Sequence, residues 1–289
     1  MPTHHPVIHA ALWMAAALVS FILMAVAGRE LAADFSTFQI LFFRSVIGVV
    51  LLGFWLGITG FEQIKTQRLQ AHAGRNIAHF AGQYGWFYGL GLIPLAEVIA
   101  LEFTTPVWTA LLAAVFLREK LTAPRWLALV CGMAGLLLIL RPGAGVIQPA
   151  SLAVLVAAMA YACSYILTKS LTSSETPVCI LFYMTLMQLV MGIIPALTHW
   201  QTPVGGQWLW VGSVGVTALT AHYCMTRAFR LADAGVVVPL DFLRLPLIAV
   251  VGYLFYHEGL DIWVLAGALI MFSGNLVNLR AELKRLRAG

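Results

Sequence analysis

The chain has 289 residues and a formal net charge of +5; 61% of its residues are hydrophobic and only 10% are charged. An ordinary soluble domain carries about 25% charged residues and about half apolar ones, so this composition excludes that class and predicts a membrane protein. The basic C-terminal segment "RAELKRLRAG" does not indicate a nucleic-acid partner. Directly after an apolar run it is typical of an orientation signal that also contacts anionic lipid head groups.

Ten apolar runs are each long enough for a helix to cross about 30 Å of hydrocarbon, which takes roughly 20 residues. They lie near residues 8–28, 35–58, 70–91, 94–117, 123–141, 150–168, 176–198, 207–230, 234–256 and 262–280. Because a backbone in lipid must satisfy its own hydrogen bonds, and because barrel strands would be about half as long, these runs are predicted to be helices. The expected fold class is all-α and polytopic, with ten transmembrane helices joined by short loops.

Lysine and arginine are unevenly distributed between the two sides of the membrane. With the N-terminus inside, the inner loops and tail hold 12 basic residues and the outer loops hold two, Arg29 and Arg141. Because basic residues accumulate in cytoplasmic loops, both termini are predicted to be cytoplasmic. The 12 inner residues are Lys65, Arg68, Arg75, Arg118, Lys120, Arg125, Lys169, Arg230, Arg280, Lys284, Arg285 and Arg287.

The two halves of the chain resemble each other at a shift of 139 or 140 residues. The segment "QILFFRSVIG" (39–48) aligns with "CILFYMTLMQ" (179–188), and residues 101–141 align with residues 240–280. Leucine-rich helices match by chance, so the Leu and Ala pairs are uninformative. The pairs that chance explains poorly are Glu119/Glu258, Gly135/Gly274 and Arg141/Arg280.

This duplication predicts two repeats, residues 1–145 and 146–289, with five spans in each. Because five is odd, the second repeat must enter the membrane from the opposite side, so the repeats are inverted around a central cavity. Inverted repeats are typical of secondary transporters, in which the substrate site lies near the midplane between the halves. The duplication therefore favours transport by alternating access.

Four charged residues lie deep within predicted spans: Arg44 in the second, Glu102 in the fourth, and Asp241 and Arg244 in the ninth. A charge at this depth costs at least about 2.5–3.5 kcal/mol, so such residues face the protein interior or water and pair with one another. Asp241 and Arg244 are three residues apart and share a helix face, and the duplication makes Asp241 the counterpart of Glu102. We therefore predict that these four residues line a polar cavity.

Three prolines lie close to the two deep carboxylates. Pro106 follows Glu102 by one turn, and Pro239 and Pro246 flank Asp241. Proline removes an amide donor and frees the carbonyl a turn earlier, so we predict helix breaks at these prolines that expose backbone groups to the cavity. Ordinary kinks, with the lost hydrogen bonds replaced by neighbours, are the alternative.

Polar residues on the third and eighth predicted spans add to this cavity. Four of them, spaced four, three and four residues apart on the third span, share one helix face. They are His72, Asn76, His79 and Gln83. A polar face toward lipid is costly, so we predict His79 and Gln83 as cavity residues, together with His222, the counterpart of Gln83 in the second repeat. Hydrogen-bonded packing is the alternative for each histidine.

Five aromatic residues of the third, fourth and sixth predicted spans are also expected to line the cavity. Their rings would stack against a flat apolar group of a substrate, although packing in the core is the usual role of a buried aromatic residue. They are Tyr84, Trp86, Trp108, Tyr161 and Tyr165.

The sequence predicts neither a metal, a cofactor nor catalytic chemistry. The four cysteines lie inside predicted spans without C-x-x-C spacing, so neither a disulfide framework nor a zinc site is indicated. An intramembrane enzyme is disfavoured because the G-x-S-x-G and H-E-x-x-H motifs are absent from the sequence. A channel would need a ring of equivalent ligands or a filter loop, which two inverted halves do not naturally form.

The short turns "LREKLT" (117–122) and "YHEGLD" (256–261), each followed by a glycine-containing apolar helix, resemble those of the drug/metabolite transporter superfamily. The two five-helix units are similar to tandem EamA-type domains over essentially the whole chain, and most similar to YddG-type bacterial exporters of amino acids, aromatic ones in particular. The resemblance implies a ten-helix basket in the cell inner membrane. It also implies a cavity lined mainly by helices 3, 4, 8 and 9, with contributions from 1, 2, 6 and 7, and peripheral helices 5 and 10.

The predicted function is export of small zwitterionic metabolites, above all amino acids. An amino acid carries a carboxylate, which pairs with arginine, and an ammonium group, which pairs with a carboxylate or an aromatic face; the deep residues supply both. Proton coupling through Glu102, Asp241, His79 or His222 and facilitated diffusion are both left open. Export of drugs or other metabolites, uptake instead of export, and the oligomeric state are also left open.

Overall fold

The computed structural model of the protein describes residues 5–116, 122–141, 148–171, 174–231 and 240–288. Within these ranges the regular structure is helical throughout. In chain order the α-helices are α1 (His5–Ala32), α2 (Thr37–Thr59), α3 (Leu69–Leu92), α4 (Leu95–Glu102), α5 (Thr105–Phe116), α6 (Ala123–Leu140), α7 (Pro149–Leu171), α8 (Pro177–Leu197), α9 (Gln207–Leu231), α10 (Arg244–Tyr256) and α11 (Ile262–Ala288), with a short 3-10 helix at Phe61–Ile64.

Seven helical segments of the described chain are long and apolar enough to cross a membrane. They are Ile8–Ala32, Thr37–Thr59, Leu95–Val115, Ala123–Leu140, Pro149–Leu171, Pro177–Leu197 and Ile262–Ala281. Helix α10 is apolar but shorter, and α3 and α9, with 24 and 25 residues, are long enough but more polar. The predicted fold class, an all-α multi-pass membrane protein, is confirmed.

Helices α2 and α8 begin at equivalent positions of the two repeats. The Ser36 hydroxyl accepts a hydrogen bond from the Gln39 amide at 3.3 Å, and the Thr176 hydroxyl accepts one from the Cys179 amide at 3.1 Å. Both are N-caps, which satisfy an amide that has no partner inside the helix. Ser36 and Thr176 are 140 residues apart, so the duplication includes the signal that starts the second helix of each repeat.

The fourth predicted span is not one helix, which corrects the expectation of a continuous run over residues 94–117. Helix α4 ends at Glu102 and α5 begins at Thr105, with a tight turn between them that is closed by a hydrogen bond from the Thr104 amide to the Leu101 carbonyl at 3.1 Å. The same break occurs in the second repeat, where the Leu243 amide bonds the Leu240 carbonyl at 3.1 Å just before α10. The duplication thus predicts the second break from the first.

The breaks lie before the prolines and not at them. Pro106 is the second residue of α5 and Pro246 the third residue of α10. A proline cannot donate to the carbonyl four residues earlier, and those carbonyls belong to Glu102 and Phe242, within the two broken turns. Pro239, the third predicted break, lies outside the described residues.

Helices of the first repeat pack chiefly on helices of the second. Helix α1 packs against α9, α3 against α7, α2 against α8, α6 against α11, and α4 against α10. Because α1 corresponds to α7 and α3 to α9 under the duplication, the first two contacts are exchanged by the repeat symmetry. The broken turns also meet, since the Phe103 and Phe242 ring centroids are 4.3 Å apart. The core therefore lies between the repeats, where a cavity can be shared by both.

Helices α6 and α11 approach so closely that two glycines face each other. A Cβ added to Gly135 would lie 2.4 Å from the Gly267 carbonyl oxygen, and one added to Gly267 would lie 2.6 Å from the Gly135 carbonyl oxygen. In lipid, small residues at helix contacts allow close packing, which replaces the hydrophobic driving force that water would supply.

We expect Gly135→Ala to lower the apparent Tm of the purified protein by at least about 2 °C, because overpacking a close contact costs typically about 1–3 kcal/mol. The matched control is Gly53→Ala in α2, where an added Cβ meets nothing within 4 Å. That variant should be as stable as the wild type or slightly more so, because alanine is the better helix former. Equal Tm values for the two variants would contradict the close α6–α11 contact.

Candidate functional site

A small pocket of about 60 Å³ lies between the repeats, with room for a few water molecules but not for a metabolite. Ten of the twelve predicted cavity residues surround it, joined by Phe21, Met24, Phe87 and Met225. The ten are Arg44, His79, Gln83, Trp86, Glu102, Tyr161, Tyr165, His222, Asp241 and Arg244. They come from helices of both repeats, so the interlocked packing creates the pocket. Their role in binding stays a prediction.

The pocket contains a cluster of three charged side chains. Arg244 donates to the two carboxylate oxygens of Glu102 at 3.0 Å and 3.3 Å, and its Nη2 lies 3.5 Å from the Asp241 carboxylate. The Trp86 indole donates to Glu102 at 2.7 Å. Two carboxylates opposite one guanidinium give this carboxylate–arginine cluster a formal charge of −1, and Arg44 elsewhere on the pocket brings the four charges to zero. The lining therefore offers partners to both charges of a zwitterion.

Part of the hydrogen-bonding capacity of this cluster is unused. Asp241 Oδ1 and Arg244 Nε are buried without a hydrogen-bond partner among the described residues. The Arg244 guanidinium also lies over the rings of Phe21 and Phe103, at 4.9 Å and 5.1 Å from their centroids. A buried polar atom without a partner costs free energy, so a substrate that supplies a partner gains affinity at this position.

A second polar group consists of Arg44 and His79, which also line the pocket, and of Gln188, which contacts both. Arg44 donates to Gln188 Oε1 at 3.2 Å, and Gln188 Nε2 lies 2.9 Å from His79 Nδ1. Because the Gln188 amide nitrogen donates, His79 Nδ1 accepts and the neutral imidazole carries its proton on Nε2. Sequence reasoning missed Gln188, although a buried glutamine within the apolar run of α8 is the kind of signal that identified Arg44.

Tyr84 and Trp108 are not among the residues that line this pocket, and their role in binding stays a prediction. The Tyr84 ring packs against Phe38, with centroids 4.6 Å apart. It follows Gln83 directly in α3, and adjacent residues of a helix do not share a face. The Trp108 indole instead donates to the Thr104 hydroxyl at 3.0 Å, within the broken turn.

The polar face of α3 is divided between two environments. His79 and Gln83 line the pocket, whereas His72 and Asn76 contact α8. The Asn76 amide donates to the Tyr183 carbonyl at 3.2 Å. All four side chains avoid lipid, as predicted, but half of the stripe joins the two repeats instead of facing a cavity.

A much larger cavity, of about 1110 Å³, adjoins the small pocket. Glu102, Asp241 and Arg244 line both. From this cluster the large cavity extends between α5 and α7 toward Arg125 and Asn278. These two residues belong to α6 and α11, so the fifth and tenth predicted spans, implied to be peripheral, contribute to the cavity wall.

The opposite end of the molecule is closed by contacts between the repeats. The Glu258 carboxylate binds the Arg29 side chain and accepts a hydrogen bond from the Leu95 amide, the latter at 2.9 Å. The Tyr256 hydroxyl donates to Glu30 at 2.7 Å. These contacts join α1, α4 and the loop after α10, so the described structure is open at one end and closed at the other. Glu119, the counterpart of Glu258, lies outside the described residues.

Two interlocked repeats, broken helices with charges at the breaks, and a cavity open at one end define a multi-pass membrane transporter. The profile of the EamA-like transporter family matches residues 8–141 and 148–280, once for each repeat. The chain belongs to this family, which confirms the predicted tandem EamA-type domains.

The chain is similar over nearly its whole length to bacterial transporters. The protein is 28% identical to an "S-adenosylmethionine uptake transporter" of Rickettsia bellii, over 95% of this chain and 94% of that protein. It is 29% identical to a "Riboflavin transporter" of Rhizobium johnstonii (96% and 93%) and to one of Vibrio cholerae (92% and 89%). One solved structure, 17% identical, covers 97% of this chain and 99% of its own with a TM-score of 0.66, which shows the fold alone. These names do not support the expected likeness to amino-acid exporters.

We expect Ala113→Cys, in a background with the four native cysteines replaced, to react rapidly with a water-soluble maleimide in the purified protein. Ala113 lines the large cavity, whereas Ala100 of α4 is fully buried. Ala100→Cys is therefore the matched control and should react much more slowly. Equal labelling rates would contradict the asymmetry between the open and closed ends.

Proposed function

We propose that this protein is a secondary transporter for the uptake of a zwitterionic metabolite with a flat ring, and that S-adenosylmethionine is its cargo. The observation that carries the proposal is the carboxylate–arginine cluster, which presents two carboxylates and one guanidinium at the inner end of a large cavity. Two relatives that match 95% of the chain are S-adenosylmethionine uptake transporters, which supports the same cargo.

The chemistry of the cargo matches the chemistry of the lining. S-adenosylmethionine has an α-ammonium and a sulfonium, which suit the carboxylates of Glu102 and Asp241. Its α-carboxylate suits the fork of a guanidinium, which binds carboxylates through two parallel hydrogen bonds, and Arg244, which lines the large cavity, supplies it. Its adenine ring suits Tyr165, Phe103 and Phe242, the aromatic side chains that line the large cavity. The cargo is an α-amino acid, so it falls within the zwitterionic class that the sequence predicts.

Riboflavin is the rival cargo, supported by relatives of similar identity. Its ring system is flat but carries no cationic group, so it would give neither Glu102 nor Asp241 a cationic partner. The large cavity, at about 1110 Å³, is as large as the sites that hold drug-sized ligands and accepts either molecule. The cationic groups of S-adenosylmethionine therefore favour it over riboflavin, whereas the volume of the cavity does not distinguish the two molecules.

In the proposed mechanism the cargo replaces an internal ion pair. Its carboxylate competes with Glu102 for Arg244, while its ammonium pairs with the carboxylate that is released. Because α4 and the segment before α10 end at these side chains, a change of partner there acts on both broken spans. A carrier switches when its cargo binds one state better than the other, and the exchange of partners supplies that difference.

The proposed orientation follows from the basic residues. Arg125 and Lys169 lie at the open end of the large cavity, and basic residues mark cytoplasmic ends. In this orientation the protein lies in the inner membrane with both termini in the cytoplasm, and the large cavity of the described state opens to the cytoplasm.

The boundary between the two repeats at residue 145 stays a prediction.

We expect proteoliposomes with the wild-type protein to take up labelled S-adenosylmethionine, and Glu102→Gln or Asp241→Asn to lower the initial rate at least tenfold. A hydrogen bond to a charged group contributes about 1.5–3 kcal/mol, and about 1.4 kcal/mol is a factor of ten. Glu62→Gln, at an exposed ion pair, is the control and should transport normally. Transport of riboflavin or tryptophan without uptake of S-adenosylmethionine would transfer the assignment to that cargo.

We also expect preloading of the vesicles with unlabelled S-adenosylmethionine to accelerate entry of the labelled compound, because a carrier that alternates returns faster with cargo bound. A rate that is indifferent to preloading would contradict alternating access. Repeating the assay with and without a pH gradient separates proton coupling from facilitated diffusion, since only coupled uptake depends on the gradient.

A further inference from the structure

A separate group of donor side chains joins the two repeats away from the carboxylate–arginine cluster. It consists of His72 in α3, Glu175 in the loop before α8, and Cys179 in the first turn of α8. The Cys179 sulfur lies 3.1 Å from Glu175 Oε2 and 4.0 Å from His72 Nε2, and His72 Nε2 lies 4.0 Å from Glu175 Oε2. We call these three residues the inter-repeat triad. Imidazole nitrogen, carboxylate oxygen and thiol sulfur thus converge on one point.

The triad is buried, and its histidine lacks a close partner. His72 and Cys179 are fully buried and the Glu175 side chain is 6% exposed. His72 Nδ1 has no hydrogen-bond partner among the described residues, and the two contacts of Nε2 are both 4.0 Å long. The ring is held in place by Tyr183, whose centroid lies 4.6 Å away. The ring is therefore fixed and buried, and its Nε2, which lies 4.0 Å from each of the other two donors, is available to a metal ion.

The carboxylate of the triad is held in place by two hydrogen bonds. The Thr66 hydroxyl donates to Glu175 Oε1 at 2.7 Å, and the Cys179 thiol donates to Glu175 Oε2 at 3.1 Å. Metal ligands must be deprotonated, so a bound metal would displace the thiol proton. Thiolate and carboxylate would then be two negative ligands, which balance a divalent cation.

The distances suit a small tetrahedral cation after a modest contraction. Bonds of about 2.3 Å to sulfur and about 2.0–2.1 Å to nitrogen and oxygen place tetrahedral ligands about 3.3–3.6 Å apart. Two edges of the triad must therefore shorten by about half an ångström, and the third, between the Cys179 sulfur and Glu175 Oε2, must lengthen by a similar amount. Three protein ligands leave a fourth position for water, and a donor set of thiolate, imidazole and carboxylate is typical of zinc.

The other repeat shows that the fold does not require these side chains. At the equivalent positions the first repeat has Phe35 and Gln39, and the second has Val211. Phe35 and Val211 are buried apolar residues. Gln39 instead exchanges hydrogen bonds with the Gln201 backbone. None of the three equivalent positions carries a histidine, a carboxylate or a thiol, so the triad is present in one half only.

We propose that the inter-repeat triad binds a divalent transition metal of the zinc class and thereby ties α3 of the first repeat to α8 of the second at the open end of the molecule. This inference goes beyond the proposed transport function and does not depend on the cargo. Sequence spacing could not reveal the site, because His72 and Cys179 are 107 residues apart.

The test is a titration of the metal-free, full-length protein in detergent with Co²⁺, which reports a thiolate ligand by a charge-transfer absorption band, followed by competition with Zn²⁺. We expect one equivalent to bind, Zn²⁺ to displace it, and Zn²⁺ to raise the Tm, because a ligand that binds only the folded state stabilises it. Cys179→Ser and His72→Gln should each abolish the band and the Tm shift. Cys224→Ser, which removes a buried cysteine in α9, is the matched control and should retain both.

Absence of the band in folded wild-type protein would overturn the proposal. Persistence of the band in Cys179→Ser would also overturn it, because another cysteine would then be the ligand. Neither outcome affects uptake of S-adenosylmethionine, which is measured without added metal, so failure of this inference is distinguishable from failure of the proposed function.

Discussion

A guanidinium in the middle of a membrane protein is tolerated only when carboxylates and hydrogen-bond acceptors surround it. Arg244 meets this condition because the two carboxylates facing it stand where helices stop. Glu102 is the last residue of α4, and Asp241 immediately precedes the second break. Helix ends leave backbone groups without intrahelical partners, so these are the polar points of otherwise apolar spans. The position of the cavity, its charge and its lining all depend on bringing the two breaks together.

The symmetry of the backbone is not matched by symmetry of the side chains. Thr105 occupies in the first repeat the position of Arg244 in the second, and its hydroxyl donates to the Glu102 carbonyl at 2.6 Å. Arg44 corresponds to Met184, a buried apolar residue. The repeats therefore share a bend, which an alternating mechanism uses twice, but contribute different chemistry. A site with unlike ends suits a zwitterion, whose two charged groups need different partners.

The sequence predicts those parts of the site in which the lipid environment permits only one arrangement of the side chains. Scarce deep charges such as Glu102 and Arg244 must meet, and hydropathy with the duplication predicted the all-α fold. The exact residue at which each helix breaks could not be predicted, because a proline indicates only that the turn before it is disrupted. Tyr84 does not line the small pocket, because an aromatic ring packs on any face of a buried helix. Gln188 was missed because a single amide in an apolar run is a weaker signal than a charge.

Helix α4 gives the site a short connection to the closed end. Its first amide, of Leu95, donates to the Glu258 carboxylate, and its last residue, Glu102, binds Arg244. At eight residues it is about 12 Å long. This short helix therefore connects the carboxylate–arginine cluster to the contacts of Glu258 at the closed end, with a charged contact at each of its ends. Glu258, the glutamate of the "YHEGLD" turn, thereby contacts the same helix that ends at Glu102. In the proposed mechanism, a cargo that draws Glu102 away from Arg244 therefore acts on a helix whose other end is held by the closing contacts.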